Sequence, residues 1–189
     1  MVYLRTMTEA AGTTRSARTA AVLDPAFLDG LEGLPTDEVR GRRDQAFAER
    51  EFQSYLRRLV QVRQDILIAE RDRRKSGGAS QSAVERVTAA LSGGRRKSKG
   101  SRGEALRTGL TRADIEEAER QADAVLDQAV GDSPEDLGDQ ELERSLAALA
   151  EGERAISSDR LAVMRVHDRL QEELKRRYRE DPSQIPQSV

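Results

Sequence analysis

Between Asp139 and Tyr178 the apolar residues Leu142, Leu149, Ile156, Val163 and Leu170 recur every seven residues, and Leu174 follows after one step of four. No proline interrupts this stretch. A seven-residue apolar repeat marks a helical seam that must pack against another helix, as in a coiled coil. A second stretch offers itself as the partner. From Thr36 to Lys75 there is again no proline, the only glycine is Gly41, and Phe52, Leu56, Leu59, Val62 and Ile66 recur at steps of three and four. Thr36, followed by Asp37 and Glu38, reads as a capping hydroxyl with carboxylates in the first turn. Asp139 reads as the cap of the later helix, and Gly77-Gly78 as the stop of the earlier one. The expected fold is therefore all-α. Helices 36–75 and 139–178 form a long antiparallel coiled-coil hairpin, packed along a seam containing Leu59, Val62, Ile66, Ile156, Val163 and Leu170.

The rest of the chain is shorter-ranged. Residues 1–20 mix Thr, Ala, Arg and Gly without a period and are expected as a disordered arm. Residues 21–35 carry Val22, Leu23, Phe27, Leu28, Leu31 and Leu34, a short apolar helix or turn that Pro35 ends. The connection, 76–138, holds a short helix around Ala83 to Leu91 and a further helix capped by Thr111. That helix has Asp114, Glu116 and Glu117 in its first turns, Ile115, Ala122, Val125 and Leu126 on one side, and a break at Gly131-Asp132-Ser133-Pro134. Between the two lies a basic Gly/Ser-rich loop, 93–103, which reads as a solvated flexible loop, the alternative being a phosphate-attracting arm that would need a structured neighbour for specificity; it has no aromatic to stack on bases, so no direct nucleic-acid contact is expected. Residues 179–189 form a tail.

With aromatics at 3%, charged residues at 35% and no tryptophan, the chain has few large side chains to fill a deep core. Paired helices need none. The absence of cysteine excludes disulfides and thiolate metal sites. With no signal-peptide pattern and no apolar run of membrane-spanning length, a soluble protein of the cytoplasm is expected. The net charge of −2 gives no reason to expect a general polyanion binder. His167 is the sole histidine and reads as a packing or surface residue; without a partner ligand it makes no metal site. An open helical hairpin offers a surface rather than a water-excluding pocket, so binding is expected and not catalysis.

One polar pattern appears twice. Ser54, Arg57, Gln61 and Asp65 follow steps of three, four and four residues, which hold them within about 80° of the helix surface, nearly opposite the expected apolar face. In the later helix Glu153, Ser157, Arg160, Met164 and Asp168 keep the same offsets, so Ser, Arg and Asp recur at identical spacing. Such a stripe is compatible with an ordinary solvated face carrying intrahelical pairs. It also has the chemistry of guanine recognition. A guanidinium donates two parallel bonds to O6 and N7, a carboxylate accepts from the ring N–H and amine, and Ser and Gln donate to phosphate or ribose oxygens.

These stripes, with the approach segment Phe27-Leu28-Asp29-Gly30-Leu31-Glu32-Gly33-Leu34-Pro35, make the chain resemble the RsiG family of actinobacterial anti-sigma factors. The family pattern is E-x₃-S-x₂-R-x₃-Q-x₃-D on each of two coiled-coil helices. The resemblance implies a pair of cyclic di-GMP molecules held on the coiled coil and sandwiched against a flagellar-type sporulation sigma factor of the WhiG kind. The implied ligand residues are Ser54, Arg57, Gln61 and Asp65 with Glu153, Ser157, Arg160 and Asp168. Two positions depart from the pattern: Arg50 stands where Glu is expected, between Glu49 and Glu51, and Met164 where Gln is expected. The alternative reading is a coiled-coil adaptor or scaffold with no small-molecule ligand.

Overall fold

The computed structural model describes residues 15–76, 109–125 and 134–185. The short helix expected around Ala83 to Leu91 and the basic loop 93–103 lie outside the described residues. Helix α1, Ala17–Leu23, leads through 3-10 turns at Pro25–Phe27 and Leu31–Gly33 into the long α2, Thr36–Lys75. Helix α3, Arg112–Ala124, lies in the connection; a 3-10 turn at Pro134–Asp136 then introduces the long α4, Asp139–Glu180. The two long helices run side by side in opposite directions. Arg40 near the start of α2 donates to Tyr178 Oη near the end of α4 at 2.8 Å, Arg57 meets Glu153 midway at 2.7 Å, and Arg74 reaches Asp139 at 2.7 Å. No described helix is long and apolar enough to cross a membrane.

Helix α4 buries the seven-residue seam its sequence announces: Leu142, Leu149, Ile156, Val163 and Leu170 are at most 3% exposed. Helix α2 corrects the expectation. Its buried positions include Val39, Ala46, Glu49, Gln53, Leu56, Val60, Leu67 and Glu70, on the same rhythm as α4, whereas Leu59, Val62 and Ile66 are only half-buried. The apolar surface of α2 is divided between two neighbours, which is why the sequence pattern misplaces the seam. One core cluster joins Phe52, Leu56 and Val60 to Leu149 and Ile156 of α4, and also to Ala118 and Ala122 of α3, with Leu59 packed against it. A second cluster, toward the other end, unites Val22, Leu31, Val39 and Ala46 with Val163, Leu170 and Leu174. Gly152 of α4 serves the first cluster: a Cβ there would stand 2.5 Å from Val125 Cγ1, so glycine lets the end of α3 come close.

Three helix starts differ from expectation. Pro35, not Thr36, is the N-cap of α2, and the Thr36 hydroxyl donates to Gln184 Oε1 at 2.5 Å. Gly138, not Asp139, caps α4, where the Glu141 carboxylate accepts from the Gly138 N–H at 2.9 Å. Helix α1 begins at Ala17, inside the stretch 1–20 expected as a disordered arm. Polar anchors order it: Thr19 Oγ1 donates to the buried Glu49 at 2.6 Å, Gln53 donates to Thr19 at 2.8 Å, and Arg15 grips Asp159 of α4 at 2.5 Å. Apolar periodicity carries no trace of such contacts. Thr111 does cap α3, in a reciprocal pairing with Asp114.

The two long helices are also locked at their ends by the same device. Near the end of α2, the almost fully buried Glu70 accepts from Arg73 and Arg74, and Arg74 reaches Asp139 and the Pro134 carbonyl at the start of α4. Near the end of α4, Glu173 accepts from Arg176 and Arg177, and Arg177 donates to the carbonyls of Leu31 at 2.8 Å and Leu34 at 2.5 Å before α2. Corresponding residues are related by one constant offset. It carries the turn Leu31–Gly33 onto Pro134–Asp136, and Glu70, Arg73 and Arg74 onto Glu173, Arg176 and Arg177.

Two predictions follow from packing and charge. Leu67→Ala should cost about 2–5 kcal/mol in urea unfolding, and Ile66→Ala distinctly less, because only the first empties a core position; equal costs would place the seam where the sequence pattern put it. The hydrogen bonds from Arg73 and from Arg176 hold Glu70 and Glu173 at about 2, against the opposing effect of burial. Their folded values lie below the unfolded value of about 4.3, so their contribution is complete above that pH and lost as pH falls toward 2. Stability measured from pH 6 down to 2 should fall through this window, and Glu173→Gln should flatten the fall.

Candidate ligand-binding face

Midway along the hairpin the two stripes meet. Arg57 Nε donates to Ser157 Oγ at 2.9 Å across the helix pair, and Arg160 Nε donates back to Ser54 Oγ at 3.0 Å. Because Ser and Arg hold the same spacing on both helices and the helices are antiparallel, the two bonds are related by a local two-fold. Around Arg57 the network widens: Glu153 Oε1 accepts from Arg57 Nε at 2.7 Å, from Ser157 Oγ at 3.0 Å and from Gln61 Nε2 at 3.2 Å. Each arginine spends only Nε on these contacts, so among the described residues neither Arg57 nor Arg160 engages its Nη groups.

The stripe lies beside the seam, not nearly opposite the apolar face of α2 as the sequence suggested. The displacement follows from the corrected seam, which passes through Gln53, Leu56 and Val60 and so puts Ser54, Arg57 and Gln61 on its immediate flank. Other sides of the hairpin carry shorter helices: α1 is pinned by Thr19 on Glu49 and Gln53, and α3 by the ion pair of Arg63 with Asp123. The stripe side chains bond to one another and to the α2 backbone, with Arg57 still 39% exposed. Among the described residues this is the open flank.

Of the residues singled out from sequence, Ser54, Arg57, Gln61, Glu153, Ser157 and Arg160 are brought into one cross-helix network. Asp65 and Asp168 are not. Both are exposed, one turn beyond Gln61 and Met164, and among the described residues Asp168 has only His167 Nδ1 at 3.3 Å. Burial pushes the Glu153 carboxyl up, but the bonds from Arg57 and Ser157 outweigh it and hold the group below the ordinary carboxylate value. Glu153 is thus an ionised hub that fixes Arg57.

Neither glutamate beside Arg50 replaces the missing one. Glu49 points into the core, fully buried, with Thr19 and Gln53 on one oxygen; Arg18 Nε stands 2.6 Å from the other without hydrogen-bond alignment. Glu51 pairs with Arg50 at 3.0 Å. Phe47 was not anticipated at all. It is 41% exposed, under the Arg50 guanidinium at 4.6 Å and 6.0 Å from the His167 ring, which makes His167 a packing residue on the same flank. A cleft of about 250 Å³ lies apart from the stripe near the end of α2, lined by Arg71, Arg74, Lys75, Asp139, Leu142 and Glu143; its Arg74 is already bound to Glu70 and Asp139.

A pair of antiparallel helices thus carries two guanidinium groups and two exposed carboxylates on one flank. No metal-holding cluster accompanies it among the described residues. Residues 25–91 match the family model described as RsiG-like, and over that stretch the chain is similar to this family. The match takes in the approach turns and all of α2; the second stripe, on α4, lies beyond it. No curated protein and no solved structure matches the chain.

The network is too exposed to be a major stability element. A double-mutant cycle on Arg57 and Glu153 should give a coupling of about 0.2–1 kcal/mol in unfolding; several kcal/mol would make the stripe a structural ion cluster instead.

Proposed function

We propose that the chain is an anti-sigma factor working by binding and not by catalysis, whose coiled-coil hairpin holds two cyclic di-GMP molecules on the open flank and, with them, a WhiG-type sigma factor. The reading rests on the reciprocal crossing of Arg57 to Ser157 and Arg160 to Ser54, which positions both arginines by Nε and leaves their Nη donors for a ligand. Two donors in one plane suit the O6 and N7 acceptors of guanine. Asp65 and Asp168, exposed one turn away, supply acceptors for the guanine ring N–H and amine. The RsiG-like match over the first stripe supports the same assignment.

A flat flank covers one side of a bulky dianionic ligand, and a partner closing over the other side gains contacts that do not exist without it. By linkage, the factor by which ligand strengthens sigma binding equals the factor by which sigma strengthens ligand binding.

The test is to measure sigma binding to the full chain with and without cyclic di-GMP at fixed salt. Binding should be at least about tenfold tighter with ligand, about 1.4 kcal/mol of coupling. Arg57→Ala and Arg160→Ala should each weaken cyclic di-GMP binding by about 1–3 kcal/mol. Equal sigma affinity in the two conditions would leave a scaffold without a small-molecule ligand.

A further inference from the structure

The local two-fold of the flank is broken in one direction. The constant offset between the long helices pairs Phe47 with Ala150, Leu161 with Arg58 and Met164 with Gln61. In each pair the large apolar member falls on the half built around the bond from Arg160 to Ser54. Phe47 is 41% and Leu161 49% exposed; among the described residues only Ile185, beyond the end of α4, is a comparably exposed large apolar side chain. Leu161 follows Ser157 by four residues and precedes Asp168 by seven, which sets it on the outer edge of the stripe. Phe47, seven residues before Ser54, shares its face of α2.

The same edge carries cations that the rest of the chain leaves without carboxylates. Between Gly152 and Leu170, α4 has Arg154, Arg160, Arg165 and Arg169 against Glu153, Asp159 and Asp168. Glu153 is bound to Arg57 of α2 and Asp159 to Arg15 before α1, so two of those three carboxylates are spent on other elements. Arg154 meets only the Ala150 carbonyl of its own helix at 3.1 Å, and among the described residues neither it nor Arg165 has an ion pair. On α2 every arginine except Arg58 has a carboxylate partner. Arg58 follows Ser54 by four residues and Arg165 follows Leu161 by four, so exposed guanidinium groups border the stripe on both long helices.

Resting on the anti-sigma reading of this flank, we propose that its Leu161 edge docks an acidic, amphipathic segment of the sigma factor. The apolar side chains of that segment pack on Phe47 and Leu161, and its carboxylates reach Arg58, Arg154 and Arg165. An apolar centre bordered by arginine, with an aromatic beside it, has the make-up of a protein interface. The phosphates of a nucleic acid would suit the arginines but offer nothing to Leu161. Because only one half is apolar, the partner seats in one direction on a surface that is otherwise nearly two-fold. The edge lies outside the guanidinium and carboxylate groups assigned to the nucleotide, so sigma binding can be weakened there without touching nucleotide binding.

The experiment uses the full chain, with Leu161→Ala and Arg165→Gln as variants and Ile185→Ala as the control, all verified as helical by circular dichroism. In saturating cyclic di-GMP, Leu161→Ala should bind a WhiG-type sigma factor about tenfold more weakly than the parent, for loss of an apolar contact. Arg165→Gln should bind it about threefold more weakly at low salt and like the parent at high salt, where exposed charge contacts are screened. Both variants should bind cyclic di-GMP alone as the parent does, and Ile185→Ala should match the parent throughout. Parent-like sigma binding by Leu161→Ala overturns the docking edge and leaves the cyclic di-GMP reading standing. An equal loss of nucleotide binding by Leu161→Ala also overturns it, because Leu161 then belongs to the nucleotide site. A dimer of the chain alone that Leu161→Ala dissolves in sedimentation overturns it as well, assigning the edge to a second copy. A parent that binds no sigma factor overturns both.

Discussion

The register in which α2 meets α4 governs nearly everything else in the molecule. It is fixed by interdigitation of Val39, Ala46, Leu56, Val60 and Leu67 with the apolar repeat of α4, and by the Glu70 and Glu173 clusters that tie each helix end to the turn before its partner. A slip of one helical turn would leave Arg74 and Arg177 without their carbonyls, which are costly to abandon when buried. With the register held, Ser54 faces Arg160 and Ser157 faces Arg57, and two separate stripes become one surface. Packing, not attraction within the stripe, does the positioning.

The coverage of the hairpin follows from where polar groups were placed in its seam. Glu49 and Gln53 occupy positions that face the core and would be costly there without partners. Thr19 of α1 supplies bonds to both, and Arg18 adds a charge contact to Glu49 and an ion pair to Asp114 of α3. The same residues that satisfy the core therefore recruit α1 to it and link it to α3. The stripe flank, satisfied internally by its own cross-helix bonds, recruits neither.

How much of this could be read from the sequence depended on which residues carried the signal. The seam of α4 was legible because each of its seven-spaced positions is apolar. The seam of α2 was not: Glu49, Gln53 and Glu70 interrupt it, while Leu59, Val62 and Ile66 sit on an adjacent face and imitate a stripe of their own. The caps at Thr36 and Asp139 were misread because Pro35 and Gly138 took the role one residue earlier. At the candidate site, identity and spacing gave Ser54, Arg57, Ser157 and Arg160 directly. Their reciprocal crossing and the burial of Glu49 depend on register and on α1, neither of which local spacing encodes.

The central claim is that the open flank, and not the side covered by α1 and α3, is where a guanine nucleotide lands. It can be read at the arginines themselves. In the ¹⁵N-labelled full chain, the Nε–H resonances of Arg57 and Arg160 report one flank, and those of Arg18 and Arg63 the covered side. On addition of cyclic di-GMP, Arg57 and Arg160 should shift together and saturate with the same dependence on ligand, while Arg18 and Arg63 stay in place. Shifts confined to Arg18 and Arg63, or none at Arg57 and Arg160 under saturating ligand, would contradict the account.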